Sequence, residues 1–459
     1  MPSFTRTGLI PAITAALLLS TAIAGSAAAE TLTEALAKAY ETNPQILSER
    51  AGQRATDEEV PQALAHWRPT VTFSGEAGKE RIDANTGNQN RKPSTLEFDV
   101  KQPLYRGGRT EADTKRAEAT VKAGQAQVTS TEQTVLLAAV QAYMNVVRDL
   151  ALLELNRNNE QRLQRQLQAA QDRFRVGEIT RTDVAQAEAA LAGATAARIQ
   201  AEGAVVSSRA TYRTVIGDMP GTLTKQIPPL DLPSSEAAAQ SEARETNPDV
   251  VRARYRVDAA RNSIDLVRGE LLPSLNLEGT LTKEEDTTAE GSQRDTASLL
   301  ATLTVPLYQA GDVYSRLRAA KETLGQNLDD YDNQIRTAVE QATSAWNTLQ
   351  TTRAAVRSFQ SQVRANEIAL DGVQRENLVG SRTVLDVLNA EQTLLTSRAD
   401  LVSAQRDEVV AQFQLLSAVG GLTARNLKLP VTLYDTEKNY REVRDKWFGA
   451  EKPKLPDKP

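Results

Sequence analysis

The side chains able to carry chemistry are few, and their placement points to charge and turn chemistry rather than bond making. Asp183 and Asp386 stand at matching places, each six residues beyond the glycine of a Val-Gly pair, Val176-Gly177 and Val379-Gly380. Arg382 follows Gly380 by two residues, where it can reach sideways to a neighbouring helix. His66 is the only histidine and there is no cysteine, so a zinc site lacks ligands. Arg106-Gly107-Gly108-Arg109 is too short for a phosphate cradle and lacks its Lys-Ser/Thr pair; its glycines suit a strand-to-helix transition. No nucleophile-base set stands out, which argues against an enzyme and calls for no cofactor or metal. A formal charge of −5 leaves no basic footprint for nucleic acid.

The elements that position these groups are written twice. Glu41-Thr42-Asn43-Pro44 recurs as Glu245-Thr246-Asn247-Pro248, Pro69 as Pro273, and Pro103-Leu104-Tyr105 as Pro306-Leu307-Tyr308. The Val-Gly pairs and the Asp-Val pairs that follow (Asp183-Val184, Asp386-Val387) keep the same offset of about 203 residues, and Ile216-Gly217 matches Val419-Gly420. The first repeat spans 30–217 and the second 236–420, joined by a Pro/Gly/Thr-rich linker, 218–235. Residues 421–459 read as a partly disordered tail.

Within each repeat the hydrophobic period changes in the same order. An opening helix runs roughly from Leu32 to Leu64. Strands follow at about 70–82 and 94–104, with Val71, Phe73, Gly75 and Ala77, then Leu96, Phe98 and Val100, on one face. A polar segment, Asp83 to Lys92, separates them. The second repeat places strands at about 274–284 and 296–307, with Leu275, Leu277 and Leu281, then Leu299, Leu303 and Val305, alternating with mostly polar neighbours. Strands of this length, apolar on one side and polar on the other, fit a transmembrane β-barrel around a wet lumen. Neither 103–220 nor 306–430 has an internal proline, and both carry apolar residues every three or four positions; Leu388, Leu395, Val402, Val409 and Leu416 form a heptad seam. Each stretch breaks once, at its Val-Gly pair, giving helical hairpins over about 110–216 and 312–419.

Arg6, the apolar run Leu9 to Ala24 and Ala27-Ala28-Ala29 form a secretory signal over 1–29, with the mature chain expected to begin at Glu30. No later stretch approaches a transmembrane helix. Without cysteine the chain can form no disulfide and carry no lipid on a thiol. Four strands cannot close a barrel, and lipid does not tolerate open sheet edges, so several chains must each contribute a share. Three chains, giving twelve strands, is the smallest assembly expected to leave a wide channel. A periplasmic adaptor or a purely structural coiled-coil protein would share the helical hairpins but leave the four amphipathic strands unexplained.

The sequence resembles the TolC family of outer-membrane exit ducts along nearly all of the mature chain. The likeness rests on the duplicated strand-strand-hairpin unit, the two Asn-Pro openings and the Pro-Leu-Tyr strand ends. It rests above all on Arg173-Phe174-Arg175-Val176-Gly177 with Thr182-Asp183-Val184, and on Val379-Gly380-Ser381-Arg382-Thr383 with Asp386-Val387-Leu388. It implies a homotrimeric twelve-stranded barrel in the cell outer membrane on a long α-helical periplasmic tunnel, acting as the passive exit duct of an efflux pump or type I secretion system. Implied partners are a periplasmic adaptor protein, an inner-membrane RND, ABC or MFS transporter, and outer-membrane lipid. By the same resemblance Asp386 lies at the pore constriction; the position one turn on is Asn389, where the family carries a second aspartate, so a milder cation preference follows. Asp183, Thr182 and Arg382 match an entrance latch, with Asn377 in place of the family's tyrosine. Val176, Gly177, Val379 and Gly380 match adaptor-docking hairpin tips. Trp67, Tyr105 and Tyr308 are expected to form an aromatic girdle at the membrane interface.

Overall fold

The computed structural model describes residues 29–85 and 87–451. The signal segment expected over 1–29 thus lies outside the described residues except for Ala29. Where one opening helix was expected, the chain folds α1 (Leu32–Thr42), α2 (Pro44–Asp57) and α3 (Glu59–Ala65). The first break is made by Asn43-Pro44. Asn43 Oδ1 accepts from Gln45 N at 2.9 Å and so starts α2, with Pro44 in the first helical position, where no N–H is needed. Asn43 Nδ2 meanwhile donates to the Val215 carbonyl at 2.8 Å, and Thr42 Oγ1 to that of Ile216 at 3.3 Å. The second repeat does the same: Asn247 Nδ2 donates to Ala418 O at 3.0 Å and Thr246 Oγ1 to Val419 O at 2.6 Å. Each Thr-Asn-Pro therefore starts one helix and satisfies the last carbonyls of another. Asn247→Ala is expected to lower stability by about 1–2 kcal/mol, read as a shift of the denaturant midpoint.

Strand β1 (Thr70–Ala77) is followed by a small hairpin, β2 (Glu80–Ala84) with β3 (Gly87–Arg91), and then by β4 (Ser94–Arg106). The first strand was expected to run to 82, and Asp83 to Lys92 to be an irregular polar segment. Both expectations are corrected: β1 ends at Ala77, and the segment pairs with itself. Arg91 holds this hairpin by donating to Thr287 O at 2.6 Å and to Glu80 at 3.0 Å. The second repeat gives α6 (Glu236–Thr246), α7 (Pro248–Arg268), β5 (Ser274–Glu285) and β6 (Gln293–Thr304).

Strands β1, β4, β5 and β6 form one antiparallel sheet in the order β1-β4-β5-β6, so the strand pairs of the two repeats join through β4 and β5. The register aligns the apolar residues across all four strands. Phe73, Phe98, Leu281 and Ala297 form one row, and Val71, Val100, Gly279 and Leu299 the next. The opposite face carries Thr72, Asp99, Thr280 and Ser298, with Thr280 Oγ1 donating to Asp99 at 3.1 Å and Lys101 paired to Glu278 at 2.8 Å. A register shift between Pro103 and Tyr105 sets Tyr105 opposite Leu275, which in turn faces Leu303. The outer edges of β1 and β6 have no strand partner in the sheet.

From the sheet the chain runs into α4 (Arg109–Arg175), returns as α5 (Arg181–Ile216), and repeats this as α8 (Asp312–Leu378) and α9 (Val384–Ala418). Helices α4 and α8 have 67 residues each, about 100 Å at 1.5 Å per residue. Gly107 and Gly108 turn β4 into α4 with positive φ, and Gly107 crosses Gly269 so closely that an added Cβ would lie 2.3 Å from the Gly269 carbonyl. The main core sits midway along the helices, where α1 packs on Val135, Leu136, Ala139, Val140, Tyr143 and Val146 of α4, with Tyr212, Ile216 and Phe413 closing it. By length and composition α4 does approach a transmembrane helix, against the expectation that no later stretch would. An 18-residue window of α4 is apolar enough, at mean hydropathy 1.4, yet half of it is buried inside the protein.

The tail is also corrected. Residues after Gly421 were expected to be poorly structured, but Leu422, Ala424 and Leu429 are buried in the main core. Tyr434 N donates to Tyr40 Oη at 2.9 Å, and α10 (Lys438–Val443) lies along the first repeat, where Asn439 reaches Asp57 at 2.8 Å. Expected disorder in 452–459 lies outside the described residues. Leu422→Ala is expected to cost about 2–5 kcal/mol, since Leu422 is fully buried; thermal melting checks it.

Candidate functional site

The candidate site is the end of the two hairpins farthest from the sheet. Both turns close alike: Gly177 N donates to Phe174 O at 2.9 Å and Glu178 N to Arg173 O at 3.0 Å, and Gly380 N and Ser381 N repeat this to Asn377 and Glu376. Gly177 and Gly380 take φ of 79° and 80°, the left-handed conformation that suits glycine. Val176, Leu378 and Val379 are left largely exposed, so both tips present apolar side chains to solvent.

The two aspartates then begin the return helices. Thr180 Oγ1 and Thr383 Oγ1 accept from Asp183 N and Asp386 N at 3.3 and 3.2 Å, while each carboxylate accepts from its threonine's backbone N at 2.9 Å and hydroxyl at 2.8 Å. Each is a capping box. The Thr180 hydroxyl and backbone N–H hold Asp183 below the ordinary carboxylate range. The Thr383 backbone N–H and hydroxyl do so for Asp386, with Arg382 adding a smaller pull. Thr182 is exposed on the first turn of α5, and Asn389 is exposed one turn beyond Asp386.

Arg382 is engaged inside its own tip. Its Nε donates to Glu376 at 2.9 Å, and Asn377 Nδ2 donates to the Arg382 carbonyl at 2.8 Å. Asp183 has no ion-pair partner among the described residues, so the expected Asp183–Arg382 pair is not formed within one chain. At the first tip Arg173 pairs with Glu178 at 2.6 Å, the same cation-to-tip arrangement run in the other direction.

Sequence reasoning missed the contact between the hairpins. Leu163 of α4, Ala194 of α5 and Leu388 of α9 pack together and bring the hairpins side by side. Beside them lies a cleft of about 560 Å³ lined by Asn156, Asn159, Asn389 and Glu391. Glu391 is buried, and desolvation raises its carboxyl above the ordinary range while Arg162 opposes the shift. The heptad position of Leu388 was a readable signal; nothing in the sequence separated Glu391 from a solvated helix face.

At the sheet end, Trp67, Tyr105 and Tyr308 are all exposed near the strand-helix junctions. His66 Nδ1 lies 3.4 Å from Asp113, and no cluster able to hold a metal ion occurs among the described residues.

The outer membrane efflux protein family pattern matches twice, over residues 35–218 and 239–421, once for each repeat. The chain belongs to this family. It is 38% identical to the outer membrane efflux protein BepC of Brucella suis biovar 1 (strain 1330), over 96% of this chain and 97% of that one. The outer membrane protein TolC of Vibrio cholerae serotype O1 is 27% identical over 87% of this chain and 92% of its own. In fold, the chain is similar to the Campylobacter jejuni CmeC outer membrane channel, with a TM-score of 0.77 over 90% of this chain and 89% of that one at 16% identity. As a member of the family, this is an outer-membrane protein with a TolC-like channel fold.

Proposed function

We propose that three copies of the chain form a single passive exit duct across the outer membrane, with a gated entrance at the hairpin tips. The observation that carries this reading is the four-stranded sheet, with one apolar face, one ion-paired polar face and two unpartnered edges. Edge amides left unpaired in lipid cost several kcal/mol each, so β6 of one copy joins β1 of the next. The large exposed side chains spaced along α8, Tyr314, Leu328 and Ile368, support the same assembly, since a neighbouring copy would cover them. Trp67, Tyr105 and Tyr308 then lie at the periplasmic rim of the barrel as an aromatic girdle.

At the entrance, three copies of Asp386 form the constriction, with Asn389 one turn behind, and three carboxylates in a narrow pore favour cations. The exposed Val176-Gly177 and Val379-Gly380 tips dock a periplasmic adaptor, which connects the duct to an inner-membrane RND, ABC or MFS transporter. The transporter selects the cargo. Arg382 and Asp183, with Thr182 and Asn377 beside them, hold the closed entrance by pairing between neighbouring hairpins.

Asp386→Asn tests the constriction without discarding the cap, because an amide oxygen can still accept from Thr383. Reversal potentials in planar bilayers are expected to show a weaker cation preference, with the difference shrinking at high salt as screening shortens the charges' reach. The carboxyl's depressed pKa also sets a direction with pH. Its charge, and the helix-capping stability tied to it, are present above the ordinary aspartate value and are lost only as pH falls through the lower folded-state value. In the trimer the three carboxylates repel one another and work against that lowering, so the wild-type preference is expected to weaken as the bathing solutions are acidified. Unchanged selectivity in Asp386→Asn at low salt would remove Asp386 from the pore.

A further inference from the structure

The tail that packs on the first repeat ends in an aromatic pair for which the barrel and the gate have no use. Its course is pinned at several points. Asn439 binds Asp57, Tyr440 Oη donates to Glu118 at 3.4 Å, and Arg444 Nη2 reaches the same carboxylate at 3.2 Å. Val443 is buried against the helices. Two residues before β1 begins, Arg68 donates to the Lys446 carbonyl at 2.7 Å, and its guanidinium lies 4.7 Å from the centre of the Trp447 ring. These contacts carry the tail to the helix end of the sheet and fix it there. Trp447 is nevertheless 58% exposed and Phe448 87% exposed.

We propose that the segment Lys446-Trp447-Phe448 is a second membrane-interface anchor, seated in the phospholipid headgroup layer of the periplasmic leaflet. This rests on the sheet lying in the outer membrane. The occupant follows from continuity: Trp447 stacks on the residue that leads from exposed Trp67 into β1, whose apolar face faces lipid. Its composition fits as well. Tryptophan and phenylalanine next to lysine and arginine is the pairing that settles at headgroup level, the rings in the acyl boundary and the cations among phosphates. The residues beyond, Lys452, Lys454 and Lys458, continue the basic character in the sequence. Such an anchor adds to the girdle a contact that fixes the height of each copy relative to the membrane from outside the barrel wall.

Tryptophan quenching tests this directly. The chain has three tryptophans, and Trp67→Phe with Trp346→Phe leaves Trp447 as the only emitter. The protein is reconstituted into vesicles of phosphatidylcholine and phosphatidylglycerol whose acyl chains carry bromine either near the headgroup or near the chain end. Insertion is checked by a heat-modifiable trimer that stays with the vesicles. The expected result is strong quenching by the shallow bromines and weak quenching by the deep ones. A vesicle-bound trimer whose Trp447 emission neither label changes would overturn the anchor while leaving the outer-membrane reading intact. Failure of the protein to associate with vesicles at all would instead overturn that reading, and the anchor with it. Trp447→Ser with Phe448→Ser supplies a second readout, since both side chains are exposed and their loss leaves the core whole. The barrel still holds this variant in the bilayer, so the second readout is the temperature at which the vesicle-bound trimer dissociates: it should fall below that of wild type, and an unchanged temperature would also overturn the anchor.

Discussion

Leu299→Lys is expected to abolish insertion into the outer membrane, whereas Thr280→Lys is expected to insert normally. The two positions lie on adjoining strands of one sheet, but their side chains leave by opposite faces. Leu299 shares a row with Val71 and Val100, and its side chain is 72% exposed within one chain. In a barrel it faces lipid, where a lysine near the midplane costs about 2–4 kcal/mol. Three chains multiply that cost in each barrel. Thr280 lies beside Asp99 on the face that already holds the Lys101–Glu278 pair, so a lysine there meets water and a carboxylate. Membrane fractionation and heat modifiability read the outcome. If both variants insert equally, the sheet does not divide lipid from lumen. Phe73→Lys is expected to behave as Leu299→Lys does, since Phe73 is equally exposed on the same face.

Loss of the Arg382 charge should open the entrance, with single-channel conductance rising severalfold and cells becoming leakier to large antibiotics such as vancomycin. Within one chain Arg382 is held by Glu376, so a conductance change in Arg382→Glu alone would not identify its partner. Surface pairs are individually weak, and a gate is sensitive to them only because its states lie close in energy. The informative set is Arg382→Gln, Asp183→Asn and Glu376→Gln, singly and as pairs with Arg382→Gln. Asparagine is chosen at 183 because arginine there would also destroy the capping box with Thr180. Coupling between Arg382→Gln and Asp183→Asn, in a double-mutant cycle on conductance, is the expected result. Strict additivity there, with coupling only to Glu376, would confine Arg382 to its own tip.

The sequence showed most of the frame because its hydrophobic period changes from two to three or four at the element boundaries, and does so twice. Asn43-Pro44 was readable as a helix start, but its second task, holding the last carbonyls of α5, joins residues too far apart for spacing to reveal. The β2–β3 hairpin has no apolar alternation, and Arg91 reaching across to Thr287 is a purely tertiary contact. Leu422, Ala424 and Leu429 carry no period that marks them as core; they are buried because the tail passes over a surface made by α1 and α4. At the candidate site the tips were legible from their glycines. Thr180 and Thr383, each three residues before an aspartate, were a capping-box signal that went unread. Glu391 resembled any helix-face carboxylate until the second hairpin buried it.

The assembly is the claim on which the rest depends, and the detergent-corrected mass of the solubilised mature protein tests it most directly. Light scattering coupled to size exclusion, in a detergent that preserves the fold, is expected to return the mass of three chains, because one chain leaves the outer edges of β1 and β6 without partners. A monodisperse monomer that keeps its helical and strand signature would contradict the shared barrel, and with it the duct.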